Sequence, residues 1–291
     1  MSRDGVVRSA ANQAELIEAV ERHQVELSVR WTEVQDGIVV DTPELVRTIN
    51  PDIKVAFANN VHRVRLEPDQ VGDAAKESAA QFREHGVPAL WWMSTQAKPE
   101  DPGRDLESHG WRFDESMPWM AARIDRLRWP NEPPAEFRVE RVADESAQPH
   151  FVTAMTAGFG MQAPEQHAMN SLAAAVGYAP EAQWVRWVAF LGDRPVASSG
   201  LMLGGGVAGV YNVATSPDVR RRGLGAALTA IAVAEGRDRG YEVAVLGASK
   251  LGYGVYERMG FSEVCEDRVW LLPERTRPAP KAATAHEGTT T

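Results

Sequence analysis

Val210-Tyr211-Asn212-Val213-Ala214-Thr215-Ser216-Pro217-Asp218-Val219-Arg220-Arg221-Arg222-Gly223-Leu224-Gly225-Ala226-Ala227-Leu228 decides how this chain is read. It opens as a strand, breaks at Ser216-Pro217-Asp218, crosses a basic loop with two glycines and ends as a helix. Glycine lets a backbone approach a ligand closely and take up positive φ. The unpaired N–H groups of a first helical turn lie at the positive end of the helix dipole and make an anion site. Three adjacent arginines add attraction. Two other glycine loops are excluded: Leu228 stands where a dinucleotide fingerprint needs glycine, and no Gly-Lys-Ser/Thr closes the loop.

Working outward, Val185–Leu191, Pro195–Leu203 and Val207–Thr215 are short apolar runs separated by Gly192-Asp193 and Gly204-Gly205-Gly206, an antiparallel meander. Phe137–Val142 alternates at period two, and helical patterns follow over Ser146–Ala157 and Pro164–Val176. Downstream come a helix over Gly223–Gly240, the buried strand Val243–Leu246 and a short helix Tyr253–Met259 ended by Gly260. Strand segments around Glu263 and Val269–Leu272 close the unit. The order β-α-α-β-β-β-α-β-α-β-β is that of a mixed α+β sheet.

Three prolines within Pro130–Pro134 cannot continue a helix or a central strand, so residues 127–136 read as a linker. Residues 273–291 offer little to bury and read as a disordered tail. Residues 1–126 and 137–272 then look like two copies of one unit. Pro68-Asp69, a helix ending at Gly86, the strand Ala89–Met93 and Gly110-Trp111 parallel Pro217-Asp218, Gly240, Val243–Leu246 and Gly260-Phe261. The first copy is five residues short where the second carries Arg220–Leu224.

With 291 residues the chain has room for two cores. A net charge of −9 argues against nucleic acid as a partner. No apolar run is long enough to span a bilayer, and the start lacks a signal-peptide pattern. One cysteine, Cys265, excludes a disulfide framework and Cys-rich metal sites. A cytoplasmic protein is expected. Cys265 has no histidine near it in sequence and reads as a structural residue.

The loop Arg220–Gly225 fits Arg/Gln-x-x-Gly-x-Gly/Ala, and Tyr256-Glu257-Arg258-Met259-Gly260-Phe261 fits Tyr-x-x-x-Gly-Phe. In this order over about residues 137–272 they resemble the GNAT N-acetyltransferase superfamily, in its tandem form. The resemblance implies an α+β protein of two GNAT-like domains, each a mixed, mostly antiparallel twisted sheet flanked by helices. Only the second would be catalytic, because the first lacks the loop and has Leu106 in place of Tyr256. It implies an acetyl-CoA-dependent N-acetyltransferase acting on a primary amine, small molecule or peptide, by direct transfer in a ternary complex. The alternatives are a non-catalytic acyl-CoA sensor or assembly module, and an acyltransferase using a longer acyl-CoA.

By the same resemblance Tyr256 is the acid that protonates the leaving thiolate. Acetyl-CoA is the co-substrate, with no metal. It would be held by Val213, Ala214 and Thr215 along the strand, by Arg220, Arg221, Arg222, Gly223, Leu224, Gly225 and Ala226 at the diphosphate, and by Ser249 and Tyr253. Phe159, Asn212 and Glu165 are candidates for the acceptor side. The tryptophan-rich first half would pack as a core or cover the acceptor site, and the protein would be a monomer or homodimer.

Overall fold

The computed structural model describes residues 5–274. The tail expected over 273–291 lies outside them, apart from its first two residues. The first half runs α1 (Gln13–Glu33), β1 (Ile38–Asp41), β2 (Val46–Ile49), β3 (Asn60–His62), α2 (Val71–Glu84), β4 (Ala89–Met93), α3 (Gly103–Ser108) and β5 (Arg112–Arg123). The second runs β6 (Phe137–Arg141), α4 (Gln148–Phe159), α5 (Ala163–Val176), β7 (Trp184–Leu191), β8 (Arg194–Gly204) and β9 (Val207–Thr215). It continues through α6 (Leu224–Asp238), β10 (Val243–Gly247), α7 (Tyr253–Met259) and β11 (Ser262–Leu272). Residues 127–136, the expected linker, hold no helix or strand.

Local chemistry sets several boundaries. Asn12 and Glu15 form a reciprocal capping box at the start of α1. Gly160 and Gly260 end α4 and α7 in the left-handed conformation, with φ of 72° and 101°. Helix α4 begins and ends two residues later than its pattern suggests, because Gly158 is tolerated inside it and only Gly160 stops it.

The strands form one sheet of eleven, in the order β1-β2-β3-β4-β11-β5-β10-β9-β8-β7-β6. Its centre is an exchange. Strand β5, from the first half, lies between β10 and β11, and β11, from the second half, lies between β4 and β5. Reading outward from the β11–β5 pair, each side meets an antiparallel partner (β4 or β10) and then a parallel one (β3 or β9). The two segments expected to close the second half are one strand, β11, with register shifts at Glu263/Cys265 and Val269/Trp270. β5 takes the place of the extra strand. That could not be read from local pattern, because each half supplies the closing strand of the other.

Alternate residues of β5 separate the two layers. Met120 and Ala122 join a core under α6 and α7 with Leu224, Leu228 and Phe261. Trp119 and Ala121 face α1, with Ala19, Val20, Val243 and Val245. Helices α4 and α5 cover the second half through Phe151, Met155 and Leu172. In the first half Trp91 is fully buried and meets Trp111 edge-on at 5.3 Å. Its neighbour Trp92, on the opposite face, donates to Asn60 Oδ1 and lies against His62.

Burial lowers the His62 pKa from 6.5 to about 3, so the folded protein holds it neutral. The unfolded chain binds that proton first as pH falls below about 6.5, so stability drops from there toward pH 3. Between pH 7 and 5 this histidine is expected to cost the fold roughly 2 kcal/mol. Denaturant melts of wild type and His62→Gln check it: the variant loses less stability between the two pH values.

Candidate active site

Strands β9 and β10 pair in parallel only at Ala208–Ala244 and Gly209–Val245. Beyond that, β9 stays with β8 as far as Thr215 while β10 follows β5 to Gly247. A V-shaped gap therefore opens between Val210 and Leu246, inside the sheet. The exposure of β9 records it: Tyr211, Asn212 and Val213 are half-exposed in a strand otherwise mostly buried. On β8 the step from Ser198 to Gly200 matches three residues on β9, Ala214 back to Tyr211, so β9 bulges there. Asn212 takes φ 54° at this bulge, and its carbonyl accepts from Ser198 Oγ at 2.8 Å.

The bulge leaves a usable strand edge. Ser216 N–H donates to Val196 O of β8. Successive residues of a strand turn their polar groups to opposite edges, so Ala214 also faces β8, while Val213 and Thr215 turn theirs into the gap. At the end of β9 a single 3-10 turn, Pro217–Val219, is fastened by Arg194 to Asp218 at 2.6 Å. Arg220–Gly223 follow as a loop, with Arg221 at φ 62° and Gly223 at φ 84°. Gly223 is the N-cap of α6, and no side chain caps the helix. A Cβ at Gly223 would meet nothing within 4 Å, and one at Gly225 only Val213 Cγ1 at 3.9 Å. The first amides of α6 thus face open space beside the gap, a cradle suited to the oxygens of a diphosphate.

The three arginines are not equivalent. Arg220 donates to Thr215 O and Gly158 O, tying the end of α4 to β9. Arg222 pairs with Glu136 at 2.5 Å and lies over the Phe137 ring. Only Arg221 keeps a side chain without a hydrogen-bond partner among the described residues. Gly158 permits the close approach of α4: a Cβ there would lie 2.7 Å from Ala214 Cβ.

Tyr256, on α7, is 7% exposed, and its ring meets Phe261 edge-on. Burial pushes the phenol up to about 12, with the Thr229 hydroxyl acting the other way. Thr229 donates to Gly225 O, so the phenol sits one turn along α6 from the open amides. A phenol in that state remains protonated at neutral pH and has a proton to give. Ser249 Oγ accepts from Gly252 N, a capping contact, and the Tyr253 hydroxyl donates to Glu263.

On the acceptor side Asn212 Oδ1 is buried without a partner. Phe159 is 49% exposed at the end of α4. Glu165 accepts from Gln162 N in the capping box of α5, so its carboxylate is used locally. The sequence reading missed Tyr211, which stacks on His23 of α1 and meets Trp119 of β5. His23 and Trp119 come from the first half, His23 through α1, which packs on β8 and β9, and Trp119 through the exchanged strand β5. Cys265 is buried, and burial raises its thiol to about 12, which fits an inert side chain.

The first half carries a corresponding gap in a closed state. Arg63, at φ 50°, lies five residues before Pro68, as Asn212 lies five before Pro217. Val64 and Leu66 then stand where Val213 and Thr215 stand. Lys98 N–H donates to Val64 O and Leu66 N–H donates to Lys98 O, both at 3.0 Å. The segment after β4 fills its own gap, and α2 follows the 3-10 turn Pro68–Gln70 with no loop between.

Residues 183–263 match the family model described as an acetyltransferase (GNAT) domain. Among solved structures the chain is similar to a GCN5-related N-acetyltransferase from Kribbella flavida, at 20% identity and a TM-score of 0.65. That match covers 86% of this chain and 95% of the other. It is also similar to a GCN5-related N-acetyltransferase from Sphaerobacter thermophilus (16% identity, TM-score 0.60, 92% and 95% covered). A third is a tandem GNAT protein from the clavulanic acid biosynthesis pathway (12%, 0.54, 80% and 79%). No curated protein matches the sequence. Residues 183–263 thus match a GNAT domain model, and the chain shares the fold of these structures.

Proposed function

We propose that the chain is an acyl-CoA-dependent N-acyltransferase that moves acetyl from acetyl-CoA to a primary amine by direct transfer. The observation that carries this is the alignment of three features along one gap. They are the open amides of α6, the outward edge of β9 at Val213 and Thr215, and the buried phenol of Tyr256. The amides of Gly223 to Ala226 bind diphosphate, and Val213 and Thr215 pair with the amide groups of the pantetheine arm as a strand would. The backbone N–H near Val213 stabilises the oxyanion formed as the amine adds. Tyr256 donates its proton to the departing thiolate.

The first half is, in this reading, a second copy of the same unit whose gap is closed by Lys98. Its remaining part in the site is to wall the acceptor side with His23 and Trp119. Isothermal calorimetry with acetyl-CoA, paired with thiol release on a panel of amines, tests the proposal. Saturable binding with amine-dependent thiol release is expected. Binding without turnover on any amine would favour a sensor, and absence of binding would reject the site.

A further inference from the structure

The sheet has a second opening, at the opposite end of β10 from the gap. β11 starts at Ser262, opposite Ala121, while β5 runs on to Arg123. Ala122 and Arg123 therefore have no partner in β11, and the chain before β11 turns at Gly260, with φ 101°. The segment leading into α1 crosses the same place. Ser9 N–H donates to Glu242 Oε2 at 2.8 Å, and Arg8 pairs with Glu242 at 2.7 Å. Between these pieces lies a recess of about 220 Å³, beside Val243 at the start of β10. That is the space of roughly seven waters at ~30 Å³ each.

Three arginines from separate segments line it: Arg8, Arg123 at the end of β5, and Arg126 of the 3-10 turn Ile124–Arg126. They are not equally engaged. Arg8 is committed to Glu242. Arg123 reaches Asp125 only at 3.5 Å, and its Nε is buried without a partner. Arg126, a lining residue too, has no hydrogen bond or ion pair from its side chain among the described residues. The hydroxyls of Ser9 and Ser262 are likewise unengaged among the described residues. Glu242 and Asp125, the acids of those pairs, are not among the lining residues. In a chain of net charge −9 this is a concentration of positive charge in a concave place.

We propose that this recess binds a phosphomonoester, its dianion held by Arg123 and Arg126 and its short organic body lying along Leu16, Ala121 and Val243. A guanidinium presents its donors as a planar fork that fits phosphate oxygens two at a time. A phosphomonoester carries close to two negative charges at neutral pH, and two guanidinium groups here lack a close carboxylate. Ser9 and Ser262 add hydroxyl donors, and Leu16, Ala121 and Val243 form an apolar wall for a body of a few carbons. The site does not depend on the acyltransferase reading. Its ligand would bridge the segment before α1, β5 and β11 where the halves exchange strands.

Calorimetry on the full chain tests it, in a Gly225→Asp background whose added carboxylate keeps anions off the amides of α6. Glycerol phosphate, inorganic phosphate and succinate are the probes. One saturable site is expected for glycerol phosphate, with inorganic phosphate weaker and succinate weaker still. Arg126→Ala should weaken glycerol phosphate binding roughly 10- to 100-fold, with the melting temperature unchanged because that side chain holds nothing else. Arg126→Lys should recover only part of the loss, since an ammonium lacks the fork. Absence of saturable binding, or equal affinity in Arg126→Ala, overturns the site. Succinate binding as tightly as glycerol phosphate overturns the choice of a phosphomonoester. Binding seen in the wild type that is lost in Gly225→Asp but kept in Arg126→Ala places the phosphate on α6 and overturns the proposal as well.

Discussion

Tyr256→Phe is expected to bind acetyl-CoA as wild type does, within about twofold, and to release thiol roughly 10²–10⁴-fold more slowly, the usual worth of a positioned acid. The ring remains against Phe261 and only the hydroxyl beside Thr229 is lost, so packing changes little. The leaving thiolate then loses the proton donor proposed for it. Calorimetry gives the affinity and a thiol-reactive dye gives the rate. A variant as fast as wild type would show that the proton comes from elsewhere. A variant that also loses affinity would place the phenol on the coenzyme.

Gly225→Asp separates function from stability by sign. Its Cβ meets only Val213 Cγ1 at 3.9 Å, so the fold accepts the side chain. A carboxylate in the first turn of α6 favours that helix through its dipole, by about 0.3–1 kcal/mol. The same carboxylate sits where a diphosphate would lie, and like charges brought together there cost several kcal/mol, equivalent to roughly 10²–10³-fold in affinity. The expected outcome is a melting temperature equal to or above that of wild type, with acetyl-CoA binding nearly abolished. Retained affinity would remove the diphosphate from α6.

Local signals in the sequence proved reliable where a single residue dictates backbone geometry. Gly260 stopped α7 at the expected residue, and Gly223 became the left-handed cap of α6. Pro68 and Pro217 mark matching places in the two halves, and a residue of positive φ, Arg63 or Asn212, lies five positions before each. What stayed hidden depends on contacts between distant segments. Three arginines in a row read as one charged patch, yet two are spent on Gly158, Thr215 and Glu136. Glu165 was a candidate for the acceptor side by its chemistry, and the structure gives it a cap to hold. No periodicity announces that His23, near one end of the chain, and Asp267, near the other, share a layer with Tyr211.

That β5 runs between β10 and β11 also bears on how such a chain can change over time. A half that merely sat beside the other could be lost without harm to it. Here its loss would strip the second half of a hydrogen-bonded neighbour at its centre and expose two raw sheet margins, an invitation to aggregation. Whatever else changes in the first half, its last strand is held by this pairing. The first half is scaffolding that the second cannot do without.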